Sequence, residues 1–175
     1  MSDAITPWLH ILAVSVWVGP QFFLFVAAVP AVRTIEDRQA RARVMRVIVT
    51  RFGWLAWAAM LVIVLSGVSN LFQEVADSPL LSWATANDIR YGRIFAEKMV
   101  FVGIAVALTA IHTFVIGPRQ LALNDEMDSH PEEAGRLRRL SMIVSGVALL
   151  ASVAAIYMGA VLANHDYSFQ SFPSD

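Results

Sequence analysis

His10 is the only ionisable side chain between residues 4 and 32, an apolar run long enough to cross a bilayer. An imidazole in hydrocarbon is costly, so it is expected to face the protein interior and to serve a functional partner. The chemistry open to it is metal ligation. A second pattern lies further on. Tyr91, Lys98, Ala105 and His112 recur every seven residues, which keeps them on one helix face within the drift of a real helix. Thr109 sits close to the same stripe. A lysine at this depth, with Glu97 beside it, is expensive unless it snorkels or pairs, so the stripe is expected to face the bundle interior. His10 and Trp17 are also seven apart and share a face. Pro20 is expected to kink their helix by removing a backbone hydrogen bond, with Gln21 satisfying part of the freed carbonyls.

Depth separates the two histidines. If their helices both enter from the outer side, His10 lies in the outer leaflet and His112 near the inner end. At about 1.5 Å rise per residue they stand some 20 Å apart along the membrane normal. Two axial ligands must flank one haem iron, so either there are two sites or only one histidine is a ligand. At the outer level the candidate partners of His10 are Met158, His165 and Lys98, with Tyr91, Arg90 and Arg93 placed to meet haem propionates. At the inner level His112 has Met142, Met60 and Ser145 in range, although Met60 and Met142 read best as packing residues. A His/His or His/Met pair suits b-type haem. Histidine with methionine and no thiolate also suits copper, whose reduced form favours imidazole and thioether.

The elements that position these groups follow from composition. Of the 175 residues 57% are hydrophobic and 15% charged, and there is no cysteine. Disulfides, thiolate copper sites and iron–sulfur clusters are thereby excluded. Four stretches, residues 4–32, 52–73, 99–118 and 140–165, lack Asp, Glu, Lys and Arg. Each reaches the roughly 20 residues a membrane span requires, and in lipid each must be a helix. The fold expected is an all-α, integral membrane four-helix bundle forming one domain over residues 1–175, with helices near 5–32, 52–74, 92–117 and 140–163.

Arginine sets the orientation. The first connection carries Arg33, Arg38, Arg41, Arg43, Arg46 and Arg51, and the third carries Arg119, Arg136, Arg138 and Arg139. By the positive-inside rule both are cytoplasmic and both termini lie outside, as in a bacterial-type inner membrane protein. Trp8 and Trp83 then mark the outer interface and Trp54 the inner one. The first connection reads as helical, capped by Thr34 with Asp37 three residues on, its arginines touching anionic headgroups. Ser129 and Glu132 have capping-box spacing, which starts helix four near Pro131 and leaves His130 exposed in the loop. Pro79, Leu80, Leu81 and Trp83 form a short interfacial segment in the second connection. No repeat at solenoid periods is present. Ser145, Ser152 and Gly159, with Ala155, form a small-residue face for close helix packing. The N-terminus lacks the basic n-region of a signal peptide.

Residues 9–19 (LHILAVSVWVG) and 29–33 (VPAVR) resemble the first membrane helix of the copper-resistance protein D (CopD) family, and residues 90–98 (RYGRIFAEK) resemble that family's Tyr-Gly-Arg…Lys signature. Ser66 and Gly67 fit the same pattern. The early histidine and Trp17, and Lys98 followed by His112, also resemble the related HemJ-type protoporphyrinogen oxidases. That resemblance implies a small haem-b four-helix membrane protein; the first implies copper handling. The sequence reading therefore favours b-type haem bound through His10, in an electron-transfer or redox-complex subunit working with quinone or an outer partner. The alternative is copper passing His10, Met158 and His165. A third reading is a cofactor-free structural subunit in which His10 and Lys98 join helices. The partners expected are the lipid bilayer and other membrane subunits, in an oligomer or complex, with no nucleic acid.

Overall fold

The computed structural model describes residues 4–78, 81, 88–125 and 131–171. Among the described residues four helices are long and apolar enough to cross a membrane: α1 (Ile5–Arg33), α2 (Arg38–Asp77), α3 (Arg90–Leu123) and α4 (Pro131–Ala163). A short α5 (His165–Ser168) follows. The described residues contain no strand, only an isolated bridge between Ile89 and Ser171. The all-α four-helix architecture is the one that lipid imposes, since each span satisfies its own backbone.

The helices outrun the charge-free stretches. α2 has 40 residues, about 60 Å at 1.5 Å per residue, roughly twice the ~30 Å hydrocarbon thickness. Helical hydrogen bonding does not stop where charge begins, so the segment from Arg38 to Arg51 continues α2 as one rod. Its start differs from the expectation. Asp37, not Thr34, is the N-cap: its carboxylate accepts from Gln39 N at 2.8 Å, while Thr34 Oγ1 donates back to Ala31 O at 2.8 Å. Asp37 stands in extended backbone with its carboxylate beside the free amides, whereas Thr34 still belongs to the end of α1. α4 is described from Pro131 onward. Pro79, Leu80, Trp83, Ser129 and His130 lie outside the described residues.

α1 runs through Pro20 as helix, and Gln21 Nε2 donates to Trp17 O at 3.1 Å. Its irregularity comes later, as a π-turn over Leu24–Ala28 just before Val29 and Pro30. α3 has the same device over His112–Ile116, just before Gly117 and Pro118. In each case the residue before the proline donates its N–H to the carbonyl five residues back, Val29 to Leu24 and Gly117 to His112. The extra residue in the turn accommodates a proline that can neither donate nor approach the preceding turn. At residue 117 a Cβ would stand 3.1 Å from the His112 carbonyl oxygen, so glycine permits the close approach.

α1 packs along α2 and α3 along α4, with α1 also against α4; α2 meets α3 through the segment Gly117–Asp125. The common core joins all four helices: Ala13, Trp17 and Val18, then Ala59, Met60 and Ile63, then Ala105, then Leu149 and Ala151. Small residues let the backbones approach, which is how membrane helices gain dispersion energy without a hydrophobic drive. Of the small face expected on α4, Ser152 and Ala155 are buried and Ser145 and Gly159 half-buried; Ala148 and Ala151 are buried beside them, and Ser152 Oγ donates to Ala148 O at 2.7 Å. Large apolar side chains such as Leu12, Leu61, Leu65, Phe114 and Leu150 face outward, where lipid covers them. Trp8 and Trp54 are also exposed, towards opposite ends of the bundle. Ile5, Asp77, Arg90 and Ala163 mark one end, the terminal end; the arginines of α2 and α4 mark the other.

Candidate functional site

The α1/α2 seam fixes His10. Its Nδ1 lies 3.1 Å from Ile63 O and 3.0 Å from Ser66 Oγ. A carbonyl can only accept, so in the neutral imidazole Nδ1 carries the proton and Nε2 keeps its lone pair. Ser66 Oγ donates in turn to Val62 O, leaving its own lone pair for His10. The ring edge lies against Gly67: a Cβ there would stand 3.1 Å from Cε1 and 3.5 Å from Nδ1. Glycine therefore makes the slot into which the imidazole fits.

The α3/α4 seam does the same for Lys98. Its Nζ lies 3.5 Å from where a Cβ on Gly159 would stand. Lys98 is within electrostatic reach of His10. Glu97 is bound to Arg93 at 3.1 Å rather than to Lys98, and Lys98 has no hydrogen-bond or ion-pair partner among the described residues. The stripe expected on α3 does face inward: Tyr91 and Ala105 are buried, and Lys98 and His112 are half-buried.

The structure brings only part of the expected set together. His112 Nε2 pairs with Ser141 Oγ at 3.0 Å near the arginine end. It lies 14 residues beyond Lys98, about 21 Å at 1.5 Å per residue, so the two histidines belong to separate levels, as the depth argument required. Its polar neighbour is Ser141, not Ser145, and Met142 instead receives the Arg33 guanidinium at 3.6 Å. Met60 is buried in the apolar core.

At the terminal end the remaining candidates are held by other side chains. His165 Nε2 lies 3.2 Å from Glu74 Oε1, and its ring stacks on Phe169 at 4.7 Å. Tyr91 packs between Phe95 and Phe169. Arg90 grips Gln170 through Oε1 at 2.8 Å and through its backbone, and its guanidinium covers Tyr167. Ser168, fully buried, donates to Leu162 O. The segment after α4 thus folds over this end, and Met158 packs beneath it with Leu162 and Tyr91. No cluster of three metal-ligating His, Cys, Asp or Glu side chains occurs among the described residues.

Two polar groups of α2 escaped the sequence reading as site residues. Ser66 is buried and orients the ring, and Asn70 Oδ1, one turn further along α2, is buried without a partner. A serine in an apolar helix that bonds its own backbone gives no sequence signal of which imidazole it also receives.

Searches of curated proteins and of solved structures return no match. The family model for copper resistance protein D matches residues 46–158, which cover most of α2, all of α3 and most of α4. His10 and α1 precede the matched region, whereas Lys98, His112 and Gly159 do not: Lys98 and His112 fall inside it and Gly159 adjoins its end. With more than half its length matched, the chain belongs to the copper resistance protein D (CopD) family.

Proposed function

We propose that this membrane protein handles copper as the cuprous ion, with His10 Nε2 as the ligand from α1. The single observation that carries the reading is the bond from His10 Nδ1 to Ile63 O. Metal-ligating imidazoles characteristically donate their second N–H to a carbonyl, which fixes the tautomer and aims the free nitrogen. The family description supplies the metal, and imidazole in a thiolate-free chain suits its reduced state. In this reading copper is cargo. His10 receives it within the terminal-end half of the bundle, Ser66 and Gly67 hold the ring, and Met158 is the thioether nearest that level on α4. His165 belongs to the covering segment, held by Glu74.

A b-type haem reading uses the same Nε2, in keeping with the likeness of His10, Trp17 and Lys98 to the HemJ-type proteins. Lys98, unpaired, is the group that would meet a propionate; Arg93 and Arg90 are already engaged by Glu97 and Gln170. Such a haem would supply one-electron transfer tuned by its axial ligand and burial. One sample separates the readings. Copper handling predicts no Soret band in a reduced-minus-oxidised spectrum, and bound cuprous ion that is lost in His10→Gln. A pyridine haemochrome near one per chain, lost in the same variant, would replace copper with haem.

The orientation belongs to this proposal, with the arginine end in the cytoplasm and the terminal end outside. A reporter active only outside the membrane is expected to be active when fused after Asp175. Activity of a cytoplasm-dependent reporter at that position would reverse the orientation.

A further inference from the structure

The two seams described above are alike in more than chemistry. His10 lies 20 residues before Pro30 and Lys98 lies 20 before Pro118. Each proline follows a π-turn placed identically with respect to it, Leu24–Ala28 in α1 and His112–Ile116 in α3. With α1 laid on α3 at a shift of 88, exposed and non-exposed positions coincide at 23 of the 27 residues from 5 to 31, the exceptions being 7, 16, 22 and 25. The buried Trp17 falls on the buried Ala105, and Ala28 on Ile116.

The second helices agree independently. Gly67, which receives His10, and Gly159, which receives Lys98, define a shift of 92 between α2 and α4. At that shift the same comparison over residues 44 to 70 again gives 23 of 27, with 48, 49, 54 and 62 as exceptions. Ala59 falls on Ala151 and Ile63 on Ala155, all four buried, while Ala56 and Arg46 fall on Ala148 and Arg138. The four residues by which the shifts differ lie in the connections between helices. Helical periodicity alone would not place a π-turn, a proline, a basic residue and its glycine slot in one common register.

We propose that the bundle is a tandem repeat of one helical hairpin, and that Lys98 is the repeat-equivalent of His10, reaching the same intramembrane site from the second hairpin. Because α1 and α3 run in the same direction, the hairpins are related by an approximate two-fold axis along the bundle, as in parallel-repeat transporters. The site lies beside that axis, with the imidazole on one side and the ammonium on the other. Residue 98 is then a ligand position, and the choice of lysine there limits the repeats to one metal ligand between them. The inference rests on the copper reading only for the choice of probe.

The test uses silver(I), a redox-stable monovalent ion with the same preference for imidazole, on the full chain in nanodiscs. Lys98→His is expected to bind it at least about ten-fold more tightly than Lys98→Leu, which removes the charge without adding a ligand; that ratio is about 1.4 kcal/mol. The gain should vanish in His10→Gln/Lys98→His. The exchange variant His10→Lys/Lys98→His, with unchanged helicity, is expected to hold silver within about three-fold of the native chain, or ~0.7 kcal/mol. Equal affinities of Lys98→His and Lys98→Leu would overturn the equivalence, as would, where the native chain binds better than His10→Gln, an exchange variant as weak as His10→Gln. A native chain no better than His10→Gln would instead remove the copper reading, and the two-histidine gain would still decide the repeat.

Discussion

Gly67→Val is expected to weaken cuprous-ion binding about 10- to 100-fold, the usual cost of losing a group that orients a metal ligand. A Cβ at this position meets the His10 ring at 3.1 Å. Alanine therefore asks the imidazole to shift by a few tenths of an ångström. Valine adds two methyl groups that fill the slot and drive the ring off Ile63 O and Ser66 Oγ. With those bonds broken, neither the tautomer nor the direction of Nε2 remains fixed. α2 itself should tolerate the change, because valine and isoleucine already stand at 62, 63, 64 and 68 and valine is no poorer a helix former than glycine. Competition titrations on the native chain, Gly67→Ala and Gly67→Val should rank in that order of affinity, with helicity unchanged. Native affinity in Gly67→Val would mean that the slot does not hold the ligand.

The charge-free runs revealed four spans because lipid demands both apolar length and helix. They did not reveal where the helices end, because α2 and α4 continue through arginines into water where backbone bonding alone decides. The seven-residue stripe on α3 was legible because one face of a helix has a single period, and Lys98 and His112 do face inward. What each imidazole touches was not legible. His10 reaches α2 across 53 residues of chain to Ile63 O, a backbone atom with no sequence signature. His112 takes Ser141 rather than Ser145, a choice one helical turn wide that depends on how α3 and α4 are rotated. The π-turns were likewise hidden. Pro20 drew attention as the kink, yet the helix widens before Pro30 and Pro118.

The glycines of α2 and α4 connect these results. Gly67 and Gly159 are not turn residues, and neither has a positive φ. Each instead replaces side-chain volume with room for a basic group from the neighbouring helix. A polar residue inside a membrane bundle needs such space as well as a partner, since packing is what holds the helices together. Small residues on these helices therefore serve two purposes: at Ala59, Ala151 and Ala155 they bring backbones close, and at the two glycines they admit chemistry.

Ala105→Leu is expected to destabilise the bundle by about 1–3 kcal/mol, the range for extra methylenes forced into a filled core. Ala105 has no exposed surface and shares the four-helix core with Trp17, Met60, Leu149 and Ala151. Trp17 occupies the repeat-equivalent position on α1, so the large indole and the small methyl complement each other where the hairpins meet. Adding bulk at 105 must displace the indole or part α3 from α4. Three comparisons isolate this cause. Ala107→Leu, on the exposed side of the same helix, should stay within about 0.5 kcal/mol of native. Trp17→Ala alone should cost more than Ala105→Leu, about 3–5 kcal/mol for an emptied aromatic site. Combining Ala105→Leu with Trp17→Phe should recover part of the loss, giving a coupling energy of roughly 0.5–3 kcal/mol if the two positions share one space in the core. Trp17→Phe alone completes the cycle, and unfolding in mixed micelles followed by helicity gives all five values. Additive effects at 17 and 105 would show that the two hairpins do not pack through this pair.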